Sequence, residues 1–156
     1  MEIRPLQADE VERLVDNLWF SLGREMAEMD QFNDLAEDVR EDAIDYHEAA
    51  LTHDERTILV AVEDGEFAGF IYAKREQTMP VFKRDYNLHI IEIYVREQSR
   101  QQGIASKLLS EIETWEKAQE CEWASLMVHV DNHAAHSLYE NSGFEVKRNL
   151  FAKPLQ

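Results

Sequence analysis

Cysteine and long apolar runs are the features this sequence most lacks. The only cysteine is Cys121, so the chain cannot form an internal disulfide of the kind on which small secreted scaffolds depend. No stretch approaches the roughly 20 apolar residues that a membrane-spanning helix needs. The first residues, MEIRPLQADEVERL, have neither a basic start nor the apolar core of a secretory signal. We therefore expect a cytoplasmic protein in a reducing compartment, with no membrane partner.

Proline and glycine are also scarce, with three and five residues in a chain of 156. The sequence has no repeats, no low-complexity tract and no Pro- or Gly-rich linker that would separate two domains. Hydrophobic residues make up 44% of the chain, which is enough for one globular domain with its own core. A single domain over residues 1–156 is the prediction.

Basic residues are half as frequent as acidic ones, 16 against 32, which gives a formal net charge of −16. Such a surface repels phosphate backbones, so we expect no nucleic-acid partner. Two interpretations of the charge are open. One is a solvated acidic surface of the halophilic type, where salt screens the self-repulsion; the other is a field that attracts a polycationic substrate. Because the acidic residues are spread along the whole chain and steering needs a localised field, we favour the first.

The periodicity of the apolar residues predicts a mixed α/β domain. The sheet should be largely antiparallel, with one parallel step in which a strand, a helix and a second strand follow each other. The strand YNLHIIEIYV is apolar on both faces, which is typical of a central strand. The expected elements are strand 2–6, helix 7–22, helix 33–51 capped by Asn33, a hairpin around Asp64-Gly65, strand 86–95, helix 103–119, strand 123–130, helix 132–141 and two closing strands at 143–148 and 149–155.

The segment SRQQGIASKL, residues 99–108, places a single glycine at the start of a predicted helix, directly after the most apolar strand. Gly103 permits a close approach to the backbone, and the N-terminus of a helix attracts anions through its unpaired N–H groups and its dipole. The segment is neither a Walker A loop nor a dinucleotide fingerprint. The backbone N–H groups of residues 101–106 are therefore candidates for binding a pyrophosphate.

A second segment, VDNHAAHSLYENSGF, carries Asn132, His136 and Tyr139 at spacings of four and three, which predicts one shared helix face. A polar face with a tyrosine hydroxyl beside an anion site could bind a ligand and donate a proton. The alternative is that Asn132 only caps the helix and that Tyr139 packs in the core.

Together the two segments resemble the motifs of the GCN5-related N-acetyltransferases (GNAT). VREQSRQQGIASKLL resembles the cofactor motif Arg/Gln-x-x-Gly-x-Gly/Ala, and NHAAHSLYENSGFE resembles a second motif in which Asn is followed seven residues later by Tyr and then by Gly-Phe. The resemblance covers the chain from about Ile58 to its end. It implies a GNAT-type acyl-CoA N-acyltransferase fold, with a mixed, mostly antiparallel sheet flanked by helices and a splayed parallel β-α-β cofactor site.

The resemblance also implies a role for each motif residue in binding acetyl-CoA without a metal ion. Backbone groups of Ile93, Tyr94 and Val95 would bind the pantetheine arm and the acetyl carbonyl. Asn132 would bind the pantetheine, with His136 beside it, and Tyr139 would act as general acid near the sulfur. The residues assigned to the pyrophosphate are Arg100, Gln101, Gln102, Gly103, Ile104, Ala105 and Ser106. Gln101 stands where the family often has Gly or Arg, which removes a charge but keeps the amide.

The implied reaction is direct acetyl transfer to a primary amine of a small molecule, a polyamine or a peptide. A base must take a proton from the amine, and Glu92, a carboxylate in the apolar strand, is the candidate. It could instead pair with a basic neighbour. His89 and His129 are weaker candidates.

Other reactive side chains are not assigned a role. Cys121 lies in a polar connection and is interpreted as incidental. The histidines at positions 47, 53 and 133 show no metal-ligand spacing, so no metal is predicted.

A catalytically inactive module of the same fold, which binds acetyl-CoA or CoA as a sensor or partner-binding domain, is the alternative function; the presence of both Asn132 and Tyr139 favours the enzyme. The N-terminal helices and the loop 78–88 are the expected wall of the acceptor site. Four acidic residues of that wall would suit a cationic amine: Glu25, Glu28, Asp30 and Asp34. The sequence leaves open whether the chain forms a homodimer.

Overall fold

A five-stranded sheet forms the centre of the computed structural model, which describes all 156 residues. The strands are β1 Glu2–Pro5, β2 Arg56–Glu63, β3 Glu66–Gln77, β4 Tyr86–Val95 and β5 Trp123–Leu126. They lie in the order β1-β2-β3-β4-β5, with β4 and β5 parallel and all other neighbours antiparallel. This confirms the predicted mixed, mostly antiparallel sheet with one parallel step.

Helices cover both faces of the sheet. An unbroken helical segment runs from residue 8 to residue 29 and consists of a 3-10 turn, α1 Val11–Leu14, a π-helical turn Val15–Trp19 and α2 Phe20–Met29. The other helices are α3 Arg40–Thr52, α4 Ile104–Ile112 and α5 His133–Asn141. No helix is long and apolar enough to cross a lipid bilayer.

Two apolar clusters hold these layers together, one on each face of the sheet. The first joins α1, α3 and the π-helical turn to the sheet and includes Tyr94 of β4, whereas the second joins α4 and α5 to the sheet and includes Val95. Because alternate residues of a strand point to opposite faces, β4 must be apolar on both. This explains the double-sided pattern of the strand in the sequence.

The Asp64-Gly65 turn connects β2 to β3 as predicted, with Glu63 paired to Glu66. Both turn residues have positive φ, 52° and 79°. A two-residue hairpin needs this backbone conformation, and Asp-Gly is among the sequences that adopt it most easily.

Several predicted helix boundaries were wrong. The first helix continues seven residues past Leu22, to Met29. The helix expected from Asn33 begins only at Arg40, because Asn33 ends a short 3-10 turn that is capped by the Asp30 side chain. The helix expected over 103–119 ends at Ile112 and is followed by turns and a 3-10 helix, Ala118–Glu120.

The last predicted strands were also wrong. β5 stops at Leu126 instead of continuing to residue 130, and residues 144–156 form no strand. Alternating apolar residues favour an extended chain, but a strand exists only where a neighbouring backbone accepts and donates its hydrogen bonds. Within one copy of this chain, residues 144–156 find no such neighbour.

Candidate functional site

Strands β4 and β5 diverge, which leaves part of β4 with one free backbone edge. Their parallel pairing ends at Ile90 opposite Leu126, although β4 continues to Val95. On its other side β4 stays paired with β3 up to Val95. Near the point of divergence the register shifts by one residue, so that Ile91 forms a bulge opposite β3. Backbone groups of residues 91–95 that face β5 are thus available to a ligand, as the splayed site requires.

The N-terminus of α4 offers unpaired backbone donors beside this opening. None of the N–H groups of residues 101–106 donates to a protein acceptor. Gln101 and Gly103 both have positive φ, 64° and 80°, which turns the chain sharply before the helix. Six free N–H groups at the positive end of a helix dipole favour the approach of an anion.

Gly103 serves this arrangement in two ways. Its φ of 80° is one that other L-residues adopt at a cost, and a Cβ atom built on it would meet nothing within 4 Å. The space on the side where a Cβ would lie is therefore open. Of its neighbours, Ile104 is buried in the second apolar cluster and anchors the helix, so it can contribute to a ligand only through its backbone.

The Arg100 side chain is bonded to other residues of the chain and does not add a free charge to the N–H groups of residues 101–106. Its guanidinium forms a bidentate ion pair with Glu25 of α2, at 2.7 and 2.9 Å, and donates to the Val95 carbonyl at 2.9 Å. The same Glu25 accepts from the Tyr94 hydroxyl at 3.3 Å. The Arg100 side chain thus ties the end of β4 to α2, and the Val95 carbonyl is already occupied.

Glu92 lies at the centre of a hydrogen-bonded network on the face of β4 that packs against α3 and the π-helical turn. One carboxylate oxygen accepts from the Trp19 indole N–H at 2.8 Å, and the other lies 2.6 Å from His47 Nε2. The His47 side chain is completely buried, and that of Glu92 is 15% exposed. Trp19 and His47 come from the π-helical turn and from α3, so three separate elements position the carboxylate.

The protonation of this network follows from its geometry. His47 Nδ1 lies 2.7 Å from the Ala43 carbonyl, which can only accept, so Nδ1 carries a proton. The contact between Nε2 and the Glu92 oxygen needs a second proton, since two bare acceptors would repel each other. His47 and Glu92 therefore share one proton and form either an imidazolium–carboxylate pair or a neutral pair.

Asn132 is the N-cap of α5, and its side-chain oxygen accepts from the Ala135 N–H at 3.2 Å. This is the capping role that the sequence left open, and the Asn132 amide nitrogen stays available. His136 lies on the first turn of α5, and its Nε2 contacts the His129 carbonyl at 3.2 Å. These contacts fix the loop between β5 and α5.

Tyr139 is buried on the same helix and packs edge-on against Phe144, with 6.0 Å between the ring centres. Burial raises the pKa of Tyr139 to about 12. The phenol is therefore protonated throughout the neutral range and can act as a hydrogen donor, which a general acid must do.

The weaker base candidates are both bonded to neighbours. His89 contacts the Ser125 hydroxyl at 3.0 Å, and burial lowers its pKa. His129 Nδ1 accepts from the Asp131 N–H, so its proton lies on Nε2 and is donated to Asp30 at 2.8 Å. That bond joins the loop after β5 to the end of α2.

A polar cavity of about 540 Å³ lies beside the end of β4, between α2 and the start of β3. Tyr94 forms part of its wall, as do four acidic residues: Glu25, Glu28, Glu66 and Glu97. Arg24 and Arg96 are its only basic residues. Of the acidic residues expected around the acceptor, two lie here, whereas Asp30 is bonded to His129. The cavity suits a cationic ligand.

Two other features bear on the chemistry. Burial raises the pKa of the Cys121 thiol, which disfavours the nucleophilic thiolate. No group of three or more His, Cys, Asp or Glu side chains is arranged to hold a metal ion.

The network around Glu92 contains two residues that sequence reasoning missed. Trp19 and His47 are 73 and 45 positions away from Glu92. The sequence contained one indication for His47: it follows Ala43 by four positions, so the two residues lie on the same face of α3. A histidine on a buried stripe needs a polar partner, but the pattern does not say which residue provides it.

Comparison with known proteins agrees with this geometry. The model of the acetyltransferase (GNAT) family matches residues 19–144. YhfO of Bacillus subtilis (strain 168), described as an uncharacterized N-acetyltransferase, is 32% identical over 97 residues. That match spans 62% of this chain and 64% of YhfO, so less than two thirds of the relative is covered.

Solved structures share the fold over nearly the whole chain. A tetramutant of the BH1408 protein from Bacillus halodurans has a TM-score of 0.85 at 19% identity, covering 99% of this chain and 100% of that one. The aminoglycoside N-acetyltransferase AAC(6′)-Iy, in complex with CoA, has a TM-score of 0.70 at 20% identity, covering 98% of each chain. At these identities the likeness establishes the fold.

Proposed function

Because the chain belongs to the acetyltransferase (GNAT) family, we propose that it transfers the acetyl group of acetyl-CoA directly to a primary amine. The observation that carries this proposal is the set of six unpaired N–H groups at residues 101–106, next to the free edge of β4. A ligand with a pyrophosphate at one end and a hydrogen-bonding arm fits both features. AAC(6′)-Iy, which has this fold, was solved in complex with CoA.

Each part of the site would bind a different part of acetyl-CoA. The N–H groups of residues 101–106 would receive the pyrophosphate, and Gly103 leaves room for it. The free edge of Ile93 and Tyr94 would bind the pantetheine arm, and a backbone N–H of this edge would stabilise the oxyanion that forms during attack. The Asn132 amide nitrogen, at the start of α5, would bind the pantetheine, with His136 beside it.

Proton transfer would be divided between two residues. A protonated amine must lose one proton before it can attack, and Glu92 is the proposed base for that proton. Attack forms the N–C bond, after which the C–S bond breaks and Tyr139 donates its hydroxyl proton to the thiolate sulfur. The new amide nitrogen releases its second proton to solvent, from which Tyr139 is reprotonated, and Glu92 releases to solvent the proton that it took from the amine.

His47 would act as a positioning residue for Glu92. It holds one carboxylate oxygen at 2.6 Å, while Trp19 holds the other. In the imidazolium–carboxylate form, the buried positive charge stabilises the ionised carboxylate that a base requires. Both oxygens remain able to accept a further hydrogen bond, since each has two lone pairs.

A cationic amine is the proposed acceptor class. The 540 Å³ cavity presents four carboxylates against the guanidinium groups of Arg24 and Arg96, and one of the four, Glu25, is also paired with Arg100. The carboxylates still outnumber the guanidinium groups, and Tyr94 connects the cavity wall to the strand that carries Glu92. Polyamines, aminoglycosides and peptide N-termini all belong to this class. The name of AAC(6′)-Iy describes an aminoglycoside acetyltransferase, so aminoglycosides should be among the first amines tested as acceptors.

Calorimetry with acetyl-CoA tests the cofactor site. Gly103→Ala adds a Cβ within the segment that would receive the pyrophosphate, and losing one charge-assisted hydrogen bond there should weaken binding by about 10- to 100-fold. Gly65→Ala is the matched control. Gly65 has φ +79° and nothing within 4 Å of an added Cβ, so both variants carry a similar backbone strain. Equal affinity of the two variants would contradict the proposed pyrophosphate site.

Thiol release with a panel of amines tests turnover. Activity on cationic amines that falls in Glu92→Gln and is partly restored at high pH would support the proposed base, since alkaline solution deprotonates the amine without help. Tight binding of acetyl-CoA with no turnover on any amine would favour the inactive sensor module instead. Absence of binding at millimolar acetyl-CoA would reject both functions.

A further inference from the structure

The Glu25 side chain takes part in two regions of the molecule at once. It lines the polar cavity of about 540 Å³ beside the end of β4. It is also bonded to Arg100, the first residue of the segment assigned to the pyrophosphate. The ion pair between them therefore lies between the proposed acceptor cavity and the proposed cofactor site. A contact of this kind couples two ligands when each ligand favours its opening.

The geometry of the ion pair shows that a competing anion can break it. A single nitrogen of Arg100, Nη2, donates to both carboxylate oxygens of Glu25, at 2.7 and 2.9 Å. The strongest pairs of this type instead use two nitrogens in parallel. The side chains of Arg100 and Glu25 are 40% and 42% exposed, and pairs exposed to this degree change an equilibrium constant by no more than about fivefold. A pyrophosphate carries more negative charge than one carboxylate and can replace Glu25 as the partner of Arg100.

The Arg100 guanidinium keeps donors free for a second anion. Its Nε–H group donates to the Val95 carbonyl at 2.9 Å, which anchors the side chain at the end of β4. The remaining nitrogen, Nη1, has no hydrogen-bond partner in the protein. The guanidinium also lies 5.3 Å from the centre of the Tyr94 ring, which stabilises its charge. Because Arg100 directly precedes the unpaired N–H groups of residues 101–106, an anion bound there comes within reach of this side chain.

Pairing with Arg100 neutralises one of the four carboxylates of the cavity. Glu25 also accepts from the Tyr94 hydroxyl at 3.3 Å, so a hydrogen bond keeps it in place when Arg100 leaves. The acidic groups of the cavity then exceed the basic groups by a larger margin. The release of Arg100 therefore makes the cavity a better binding site for a cation.

We propose that Glu25 determines the affinity of the cavity for a cationic amine and that Arg100 makes this affinity depend on the cofactor. In the free chain Arg100 occupies Glu25. When a pyrophosphate binds at residues 101–106, the guanidinium turns to it, and Glu25 becomes available to an ammonium group. Amine binding in turn releases Arg100 for the pyrophosphate, so each ligand strengthens the other by the same factor. This inference rests on the proposed cofactor and acceptor sites.

Calorimetry with CoA and spermidine measures the coupling without turnover, because CoA has no acetyl group to transfer. Spermidine serves as the probe for a cationic amine. We expect it to bind about three to five times more tightly to the CoA-saturated chain than to the free chain. CoA should gain the same factor from saturating spermidine.

Two substitutions remove the members of the ion pair. In Arg100→Gln, spermidine should bind the free chain as tightly as it binds the CoA complex of the unmodified chain, and CoA should add nothing further. In Glu25→Gln, spermidine should bind weakly in both states, and the coupling should again be lost. Both positions are exposed enough that the chain should fold normally.

Arg24→Gln is the matched control. Arg24 lines the same cavity, and its guanidinium contacts the Ser21 hydroxyl at 3.4 Å. This variant removes the same charge from the cavity but leaves the pyrophosphate segment intact. It should bind spermidine more tightly both with and without CoA, and it should keep the full coupling.

The titrations distinguish failure of this inference from failure of the proposed function. Equal affinity of spermidine for the free and the CoA-saturated chain would overturn the inference alone. So would a coupling that survives in Arg100→Gln, because it would come from direct contact between the two ligands. Absence of CoA binding, visible before spermidine is added, would reject the proposed function together with this inference.

Discussion

The network of Trp19, His47 and Glu92 can be tested by removing its two titratable members singly and together. His47→Leu takes away the partner of one carboxylate oxygen and leaves Glu92 with Trp19 alone. Glu92→Gln perturbs the hydrogen bonds of the network less, because the amide oxygen can still accept from Trp19 while the amide nitrogen donates to a neutral His47. Glu92→Gln therefore removes the charge of the network and keeps its hydrogen bonds, whereas His47→Leu removes a hydrogen bond as well.

The expected magnitudes follow from burial. His47 is fully buried and the Glu92 side chain is 15% exposed, so removing the histidine should lower the free energy of unfolding by about 3 kcal/mol. Glu92→Gln keeps the hydrogen bonds and should cost about 1 kcal/mol or less. In the Glu92→Gln background His47→Leu breaks only a neutral hydrogen bond, so the coupling between the sites should be about 2 kcal/mol.

Urea unfolding of the four proteins measures this coupling, and thiol release gives kcat for each. The kcat losses should be non-additive, because both residues act on the same proton. His47→Gln, which retains a donor, should recover part of the loss. The control is Glu76→Gln, whose exposed ion pair with Lys74 at 3.3 Å should contribute less than about 1 kcal/mol. Additive effects of His47→Leu and Glu92→Gln would refute the shared-proton network.

Three further predictions concern Tyr139 and the acidic surface. Tyr139→Phe should lower kcat by roughly 10- to 1000-fold with little change in acetyl-CoA affinity, and full turnover of this variant would exclude Tyr139 as the acid. The pKa of Tyr139 is about 12 in the folded chain and near 10 when exposed, so its contribution to stability is complete below about pH 10 and is lost between about pH 10 and 12. Urea unfolding should therefore show that the free energy of unfolding falls over this pH range by about 2–3 kcal/mol less in Tyr139→Phe than in the unmodified chain. With a net charge of −16, the Tm should rise from low salt to about 1 M KCl, where the screening length falls to about 3 Å. A flat Tm together with a KM for the amine that rises steeply with salt would instead indicate a substrate-steering surface.

Several local features could be read from the sequence because they depend on a few adjacent residues. Asp64-Gly65 turns the chain through two positive φ angles that these residues adopt easily. Gly103 stands at the start of α4 with a φ of 80°, and Asn132 caps α5 through its own side chain. In each case steric restrictions or a hydrogen bond within a few residues determine the conformation. The motif around Gly103 therefore indicated an anion site before any tertiary contact was known.

Other features depend on segments that are distant in the sequence, and only the folded chain shows them. Arg100 is the first residue of the segment assigned to the pyrophosphate, but its guanidinium pairs with Glu25, 75 positions earlier, because α2 packs beside the end of β4. Nothing near Glu92 in the sequence indicates that His47 and Trp19 hold its carboxylate. The alternation in residues 144–150 favours an extended chain, but whether it becomes a strand depends on an edge that can pair with it. The sequence alone determined the Asp64-Gly65 turn, the Asn132 cap and the glycine at the start of α4, because each depends on local sterics or a local hydrogen bond, whereas tertiary packing decided which charges meet and which backbone edges remain open.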